Sequence, residues 1–472
     1  MLIVHQIMER LGHSPDFVCH EFALSPDLGL FCIYISSIVS TEHANEFIFK
    51  PILEQNLDDR ALRDPKSWLE SLIPKAQTDA FKEATEGIQR LLEGQCLLIS
   101  SSGDCRLSYD IAKGQNRSVS EPTTEASIRG PREGFVEDIA RNVALIRKRL
   151  KSEHLIFEQL IIGTETKTKV YLTYIDNIAQ VKVVEEFRRR LNSIHADSIL
   201  ESSYIEEWIQ DNTWSPFPQL LFTERPDSVV AKLMEGQVVV MTDGTPIALV
   251  GPVTFFQFFN SPEDYYQRAD IATLSRWLRF FAFLLSIFVP ALYIAVVSYH
   301  PELLPNSLLI SLAAQREEVP FPAFFEAAIM MVTFEILREA GLRMPRIAGQ
   351  SISIVGALVL GEAAVEAGLV SAAMVIVVSL TAISNFVSPN YGFGIAQRII
   401  QFAFMILAGL MGLFGLMCGV FFVLIHLVSL RSFGVKYFTP LAPLVLSAWR
   451  DTLFRVPRYK MKRFPHRRMQ NK

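Results

Sequence analysis

The chain has 472 residues, 50% of them hydrophobic, and a mean hydropathy of +0.26, which is enough for two or three domains. Its 49 acidic and 45 basic residues leave a net charge of −4. That excludes nucleic acid as a main partner, because neutralising phosphates demands a basic face. Five scattered cysteines (Cys19, Cys32, Cys96, Cys105, Cys418), with no CxxC and no paired histidine, exclude a disulfide framework and a zinc site, and no cofactor or metal is expected.

The amino terminus, MLIVHQIMERLG, lacks the basic region and apolar core of a cleavable signal peptide. Residues 1–115 read as a first α/β unit. Buried-strand runs LGLFCIYIS (28–36) and CLLIS (96–100) alternate there with helical runs HANEFIFKPILEQ (43–55) and AFKEATEGIQRLLEG (80–94). Residues 116–265 read as a second α/β unit. It holds an amphipathic helix over 132–150, a strand over 168–175, a helix over 177–194, and a hairpin over 234–250 that turns at Asp243-Gly244.

Three motifs stand out in the second unit: EPTTEASIRGPREGFVED (121–138), SPFPQLLFTERPDSV (215–229) and SPEDYYQR (261–268). Gly130-Pro131 reads as a helix start, with Glu133 in the first turn where the dipole favours an acid. None of the three has a nucleophile and base at usable spacing or a glycine-rich phosphate loop, so no enzyme is indicated.

Residues 266–430 read as an all-α membrane domain, because their apolar runs approach the roughly 20 residues that cross a bilayer. Phe280 to Tyr299 is a spanning helix, and Arg268, Arg276 and Arg279 before it place its amino end in the cytoplasm. AFFEAAIMMVTFEILREAG (323–341) holds Glu326 and Glu335 on opposite sides of a helix, so it is re-entrant or packed against other helices. Gly349 to Asn385 is too long for one crossing. Either two spans meet around GEAAVEAG (361–368), or one helix breaks near Gly368.

Ile399 to Leu430 would extend about 48 Å as a straight helix, so it must tilt, protrude or break. Ala408, Gly412, Gly415 and Gly419 share a face of small residues that lets helices approach. The preferred count is four crossings. Residues 431–472 read as a basic cytoplasmic tail, suited to an anionic lipid surface or merely solvated.

Ser351, Val355, Val359, Glu362 and Glu366 recur on one helix face, and Gly349, Ser353, Gly356, Ala363 and Ala367 form another. Packed in a ring through the small face, such helices turn Val355 and Val359 inward as an apolar gate beside a ring of carboxylates, which favours cations. Alternatively, Glu362 and Glu366 pair with Arg338, Arg343 or Arg346 inside a bundle.

The three motifs, the segment EGQVVVMTDGTPIALVGPVTFFQFFN, QREEVPFPAFFEA and FEILREAGLRMPRIAGQSISIVGALVLGEAAVEAGLVSAAMVIVVSLTAI together resemble the A subunit of the GerA-type spore germinant receptors (GerA family), over roughly residues 60–445. The resemblance implies a multipass protein of the inner membrane of a bacterial endospore, with its amino-terminal domain in the cytoplasm. It implies a permease-like B subunit that senses the nutrient and a lipoprotein C subunit as partners. It also implies a homo-oligomer that acts as a nutrient-gated cation channel. A transporter is a further class, though no internal repeat is visible; a non-conducting scaffold that couples a sensor to another pore is the third.

Overall fold

The computed structural model describes residues 2–460, apart from 26–27, 55–64, 73–77, 104, 113–121, 123–124, 126–128 and 344–358. The first lobe runs α1 (Leu2–Leu11), β1 (Phe17–Ser25), β2 (Leu28–Ile35), α2 (41–54, with a π turn at Asn45–Phe49), α3 (Pro65–Leu72), β3 (Thr78–Ala80), α4 (Ala84–Leu92), β4 (Gln95–Ser100) and β5 (Arg106–Asp110). Its strands lie in the order β1-β2-β4-β5-β3, each antiparallel to its neighbours. β2 reads as an unbroken apolar run because both its faces are covered. Leu30, Cys32 and Tyr34 pack with α2 and α3; Phe31, Ile33 and Ile35 pack with α1 and α4.

The second lobe runs α5 (Ile139–Arg149), β6 (Leu155–Ile162), β7 (Thr168–Ile175), α6 (Val181–Asn192), α7 (Ser202–Ile209), β8 (Leu221–Thr223), α8 (Pro226–Met234), β9 (Val238–Thr242) and β10 (Ala248–Gly251). Its strand order is β6-β7-β9-β10-β8, again all antiparallel. Position for position this is the order of the first sheet, so the two lobes are repeats of one unit. The sequence shows no repeat because the shared design needs only alternating burial, which many residue choices satisfy: Val238 and Val240 face α6 and α7, and Val239 and Met241 face α5 and α8. Arg147 of α5 joins the lobes with a buried bidentate pair to Asp16, at 2.6 and 2.7 Å.

The apolar half contains α9 (Ala269–Tyr299), α10 (Asn306–Glu317), α11 (Ala323–Arg343), α12 (Ala372–Phe386) and α13 (Tyr391–Ser429). α9 and α13 are long and apolar enough to cross a membrane. α13 is not one rod. Gly412 takes φ 61°, ψ −140°, and Phe393 and His426 lie 6.4 and 6.1 Å from the same Phe217 ring. A straight helix would hold those two residues about 50 Å apart. α13 is therefore a hairpin whose limbs, 391–411 and 413–429, run antiparallel from a tip at Gly412.

The far end of α9 meets that tip, where the Tyr299 hydroxyl donates to the Gly409 carbonyl at 2.6 Å. The glycines let the pieces touch. A Cβ on Gly412 would lie 2.9 Å from Tyr299 Cβ, and one on Gly415 only 2.2 Å from the Leu407 carbonyl oxygen of the other limb. The face holding Gly412, Gly415 and Gly419 thus serves both the contact with α9, at Gly412, and the fold of α13 onto itself, at Gly415 and Gly419. The sequence reading prefers four crossings; among the described residues the bundle holds five limbs, α9, α11, α12 and the two halves of α13, one more than the hydropathy shows. The reason is the left-handed backbone at Gly412, which hydropathy cannot register.

Candidate functional site

α11 and α12 both run from the far end of the bundle, marked by Gly412, toward the end nearest the lobes. A Cβ on Gly409 would meet Phe324 at the start of α11, and Ala373 N–H at the start of α12 donates to Gln315 of α10. At the near end Glu335 of α11 pairs with Arg398 of α13 at 2.9 Å. α11 is one continuous helix, and both of its inner carboxylates bind neighbours. Glu326 is fully buried and accepts the N–H and O–H of Ser371, both at 2.6 Å. It thereby holds the amino-terminal end of α12.

A seam of uncharged polar residues runs through the same bundle. Gln397 donates to Ser286 of α9 and, at 2.8 Å, to Asn385 of α12. Asn385 donates to Gln401 at 3.3 Å, and Gln401 reaches the Met331 sulfur at 3.6 Å. Such bonds between membrane helices are worth about 0.6 kcal/mol each, so the seam fixes registry rather than supplying most of the stability. Sequence reasoning passed over Asn385, Gln397 and Gln401, although a polar side chain in an apolar run is itself the signal.

Of the gate candidates, Ser351 and Val355 lie outside the described residues, as do Gly349 and Gly356. Val359 opens a π turn, Val359–Ala363. Glu362 and Glu366 follow on the same helical stretch, and both are exposed. Gly368, at φ 66°, then turns the chain against the carbonyl of Glu318. The alternative pairing is not formed by two of its proposed partners: Arg338 is 3.2 Å from Glu335 and Arg343 is 2.6 Å from Glu339. Arg346 lies outside the described residues. Glu362 and Glu366 make no ion pair among the described residues.

The three sequence motifs converge where the second lobe meets the helices. Buried Arg225 donates to the carbonyls of Glu125 (3.2 Å) and Pro131 (3.0 Å) and pairs with Asp227, and Asp227 also accepts the Tyr266 hydroxyl. Gly130, at φ 140°, lies so close to the Tyr266 ring that a Cβ would sit 2.7 Å from it. The helix read at Gly130-Pro131 starts instead at Ile139, capped by the Asp138 carboxylate. Residues 131–137 stay extended because Phe135 N–H is bound by the Glu224 carbonyl at 2.7 Å. Burial pushes the Glu125 carboxyl up to about 7, partly opposed by the Thr223 hydroxyl at 2.5 Å and by Arg225. Burial and the Asp227 carboxylate push the Tyr266 phenol up to about 12.

Residues 431–460, read from sequence as part of a basic tail, pack into this joint. Arg276 of α9 is buried with Asp264 (3.0 Å) and Asp451 (3.1 Å), and Arg279 also reaches Asp264 at 2.9 Å. All three arginines read as a positive flank are thus paired with protein carboxylates, Arg276 and Arg279 inside the joint and Arg268 with Asp270 at the surface. The Tyr265 hydroxyl donates to Asp451 at 3.0 Å, and burial holds that phenol well above its ordinary range. β11 (Arg431–Ser432) and β12 (Val435–Lys436) form a hairpin whose turn residues, Phe433 and Gly434, both have positive φ. For Phe433 that conformation costs roughly 1–2 kcal/mol. The residue is held in it by Phe187, stacked at 3.6 Å, by Arg190 over its ring at 4.5 Å, and by Asp211, which accepts its N–H at 2.6 Å. Beneath lies an aromatic cluster of Phe217, Phe255, Phe258, Phe259, Phe283 and Phe393, which welds the lobe to α9 and both ends of α13.

The sequence matches the family described as Bacillus/Clostridium GerA spore germination protein over residues 5–467. The chain belongs to the GerA family. It is 43% identical to spore germination protein KA of Bacillus subtilis over 459 residues, covering 96% of this chain and 84% of that one. It is 38% identical to spore germination protein A1 of the same organism over 451 residues, covering 96% and 92%. An uncharacterized membrane protein of B. subtilis, YfkQ, is 42% identical over 450 residues, covering 95% and 87%. Among solved structures, the N-terminal domain of the A subunit of the Bacillus megaterium germinant receptor GerK3 matches 54% of this chain and 95% of its own, with 32% identity and a TM-score of 0.42. Membership of the GerA family gives the chain a role in spore germination, and its apolar helices mark it as a membrane protein.

Proposed function

We propose that this chain is the A subunit of a germinant receptor in the inner membrane of an endospore. Copies assemble through the membrane half into a cation channel, gated by a nutrient that a permease-like B subunit senses, with a lipoprotein C subunit completing the receptor. The lobes stand on the cytoplasmic side. The observation that carries this reading is the exposure of Glu362 and Glu366, side by side in the membrane half without an ion pair among the described residues. A carboxylate there is costly unless it faces water or a partner, and a ring of them around an axis attracts cations.

The test is cation leak from liposomes carrying the purified receptor. If Val355 and Val359 line a dewetted gate, Val355→Ala or Val359→Ala raises resting leak per folded protein. Unchanged leak with lower yield means that these valines only pack. Cysteines introduced near residue 200 and residue 465 test the orientation, since both should label only after the membrane is permeabilised.

A further inference from the structure

Trp214 is 94% exposed, and slack backbone does not explain it. The loop that carries it is clamped by fully buried Gln219, which donates to the Asn212 carbonyl at 2.6 Å and accepts the Asn212 N–H at 2.8 Å. Trp214 N–H donates to the Asn212 side-chain oxygen at 3.0 Å. Pro216 and Pro218 restrict the backbone on either side of Phe217, whose ring enters the aromatic cluster while the indole is left outside.

The height of that indole is fixed. The next residue, Ser215, shares a hydrogen bond of 2.8 Å with His426 in the last turn of α13. Phe422, Ile425 and Val428 on the same limb are all at least half exposed, as side chains facing lipid would be. Trp208, half exposed at the end of α7, belongs to the same end of the lobe, because Arg190 binds the adjacent Ile209 carbonyl at 2.5 Å and Asp211 holds Phe433. An indole has an apolar body and one N–H donor, which suits neither bulk water nor the hydrocarbon core but fits the headgroup layer.

We infer that Trp214, with Trp208 beside it, seats the second lobe in the headgroup layer of the leaflet from which α13 emerges. The bilayer surface is then a second attachment for the lobe, independent of the aromatic cluster, and fixes its tilt over the helices. This rests on the membrane placement of α9 and α13.

The experiment uses the full chain in phosphatidylcholine–phosphatidylglycerol liposomes, with phospholipid brominated either near the headgroup or deep in the acyl chain. Tryptophan quenching is compared between wild type and Trp214→Phe, Trp208→Phe and Trp277→Phe. The expected result is that Trp214→Phe removes a component quenched by shallow bromines, shielded from aqueous iodide and blue-shifted relative to detergent-free unfolded chain. Trp277, near the start of α9 and 40% exposed, is the control for membrane placement. If Trp277 is quenched by bromolipid while the Trp214 component answers to iodide, the headgroup seat is overturned and the indole faces water. Shielding of Trp214 from both quenchers overturns it in favour of a protein contact. If Trp277 also escapes bromolipid, the membrane placement itself fails first. Because the indole makes almost no protein contact, Trp214→Phe should leave folded yield unchanged; Trp208→Phe gives an independent reading if it does not.

Discussion

Arg276→Met keeps the length of the side chain but removes a guanidinium buried between Asp264 and Asp451. Asp264 keeps Arg279 at 2.9 Å, whereas among the described residues the Asp451 carboxylate keeps only the Tyr265 hydroxyl. The carbonyl of Asp451 also loses its donor at 2.7 Å. Removing one partner of a buried pair costs about 3–5 kcal/mol, and the surviving Arg279 puts this case near the lower end. At 1.4 kcal/mol per tenfold, about 3 kcal/mol raises the population of a detached carboxy-terminal segment roughly a hundredfold. Limited proteolysis of membranes, read through a tag at the carboxy terminus, follows that population when opening is fast. Arg268→Met is the control, since its pair with Asp270 is exposed and is worth 1 kcal/mol or less. Adding Asp451→Asn to Arg276→Met should restore much of the protection, because the stranded charge is gone. Equal cleavage rates for wild type and Arg276→Met would refute the reasoning, as would failure of Asp451→Asn to rescue.

Gly412→Ala places a Cβ at φ 61° and 2.9 Å from Tyr299; it should cost more than about 1–2 kcal/mol and lower the midpoint of thermal aggregation in detergent. Gly394→Ala, on the same helix with open space around its Cβ, should be neutral or stabilising. Because Glu125 is pushed up to about 7 when folded, against an unfolded carboxyl near 4.3, its contribution is fully present below about 4.3 and is lost as pH rises through about 7. Thermal stability of the joint should therefore fall across that window by up to a few kcal/mol, and Glu125→Gln should flatten that part of the profile. Glu206, also pushed up to about 7, adds a drift of the same sign that Glu125→Gln leaves in place.

The lobes were legible because burial on both faces of β2 and β9 leaves unbroken apolar runs, and because Asp243-Gly244 announces its own hairpin. Their duplication was not, since two sheets can share an order of strands without sharing residues. The membrane half was legible as apolar but not as folded. Hydropathy runs smoothly through Gly412, where a backbone angle reverses the chain, and the glycine face read as a meeting point for helices meets α9 at Gly412 and the other limb of α13 at Gly415 and Gly419. The joint shows a further limit. EPTTEASIRG, TERPD and SPEDYYQR stand out singly, yet their common purpose around Arg225 and Tyr266 depends on contacts between residues 39 to 100 apart in the chain, which local pattern cannot encode. Arg276 read as a topology signal because charge in a sequence carries no record of its partner.

The reversal potential of the reconstituted receptor under a potassium chloride gradient tests the proposed channel most directly. Wild-type chain with its B and C partners and a nutrient should conduct, with a reversal potential on the cation side. Glu362→Gln with Glu366→Gln should move that potential toward zero at unchanged folded yield, as expected when a carboxylate ring is neutralised. If neither receptor conducts under any nutrient, or if the double variant keeps the wild-type potential, the chain is not the cation pathway and couples the sensor to another pore.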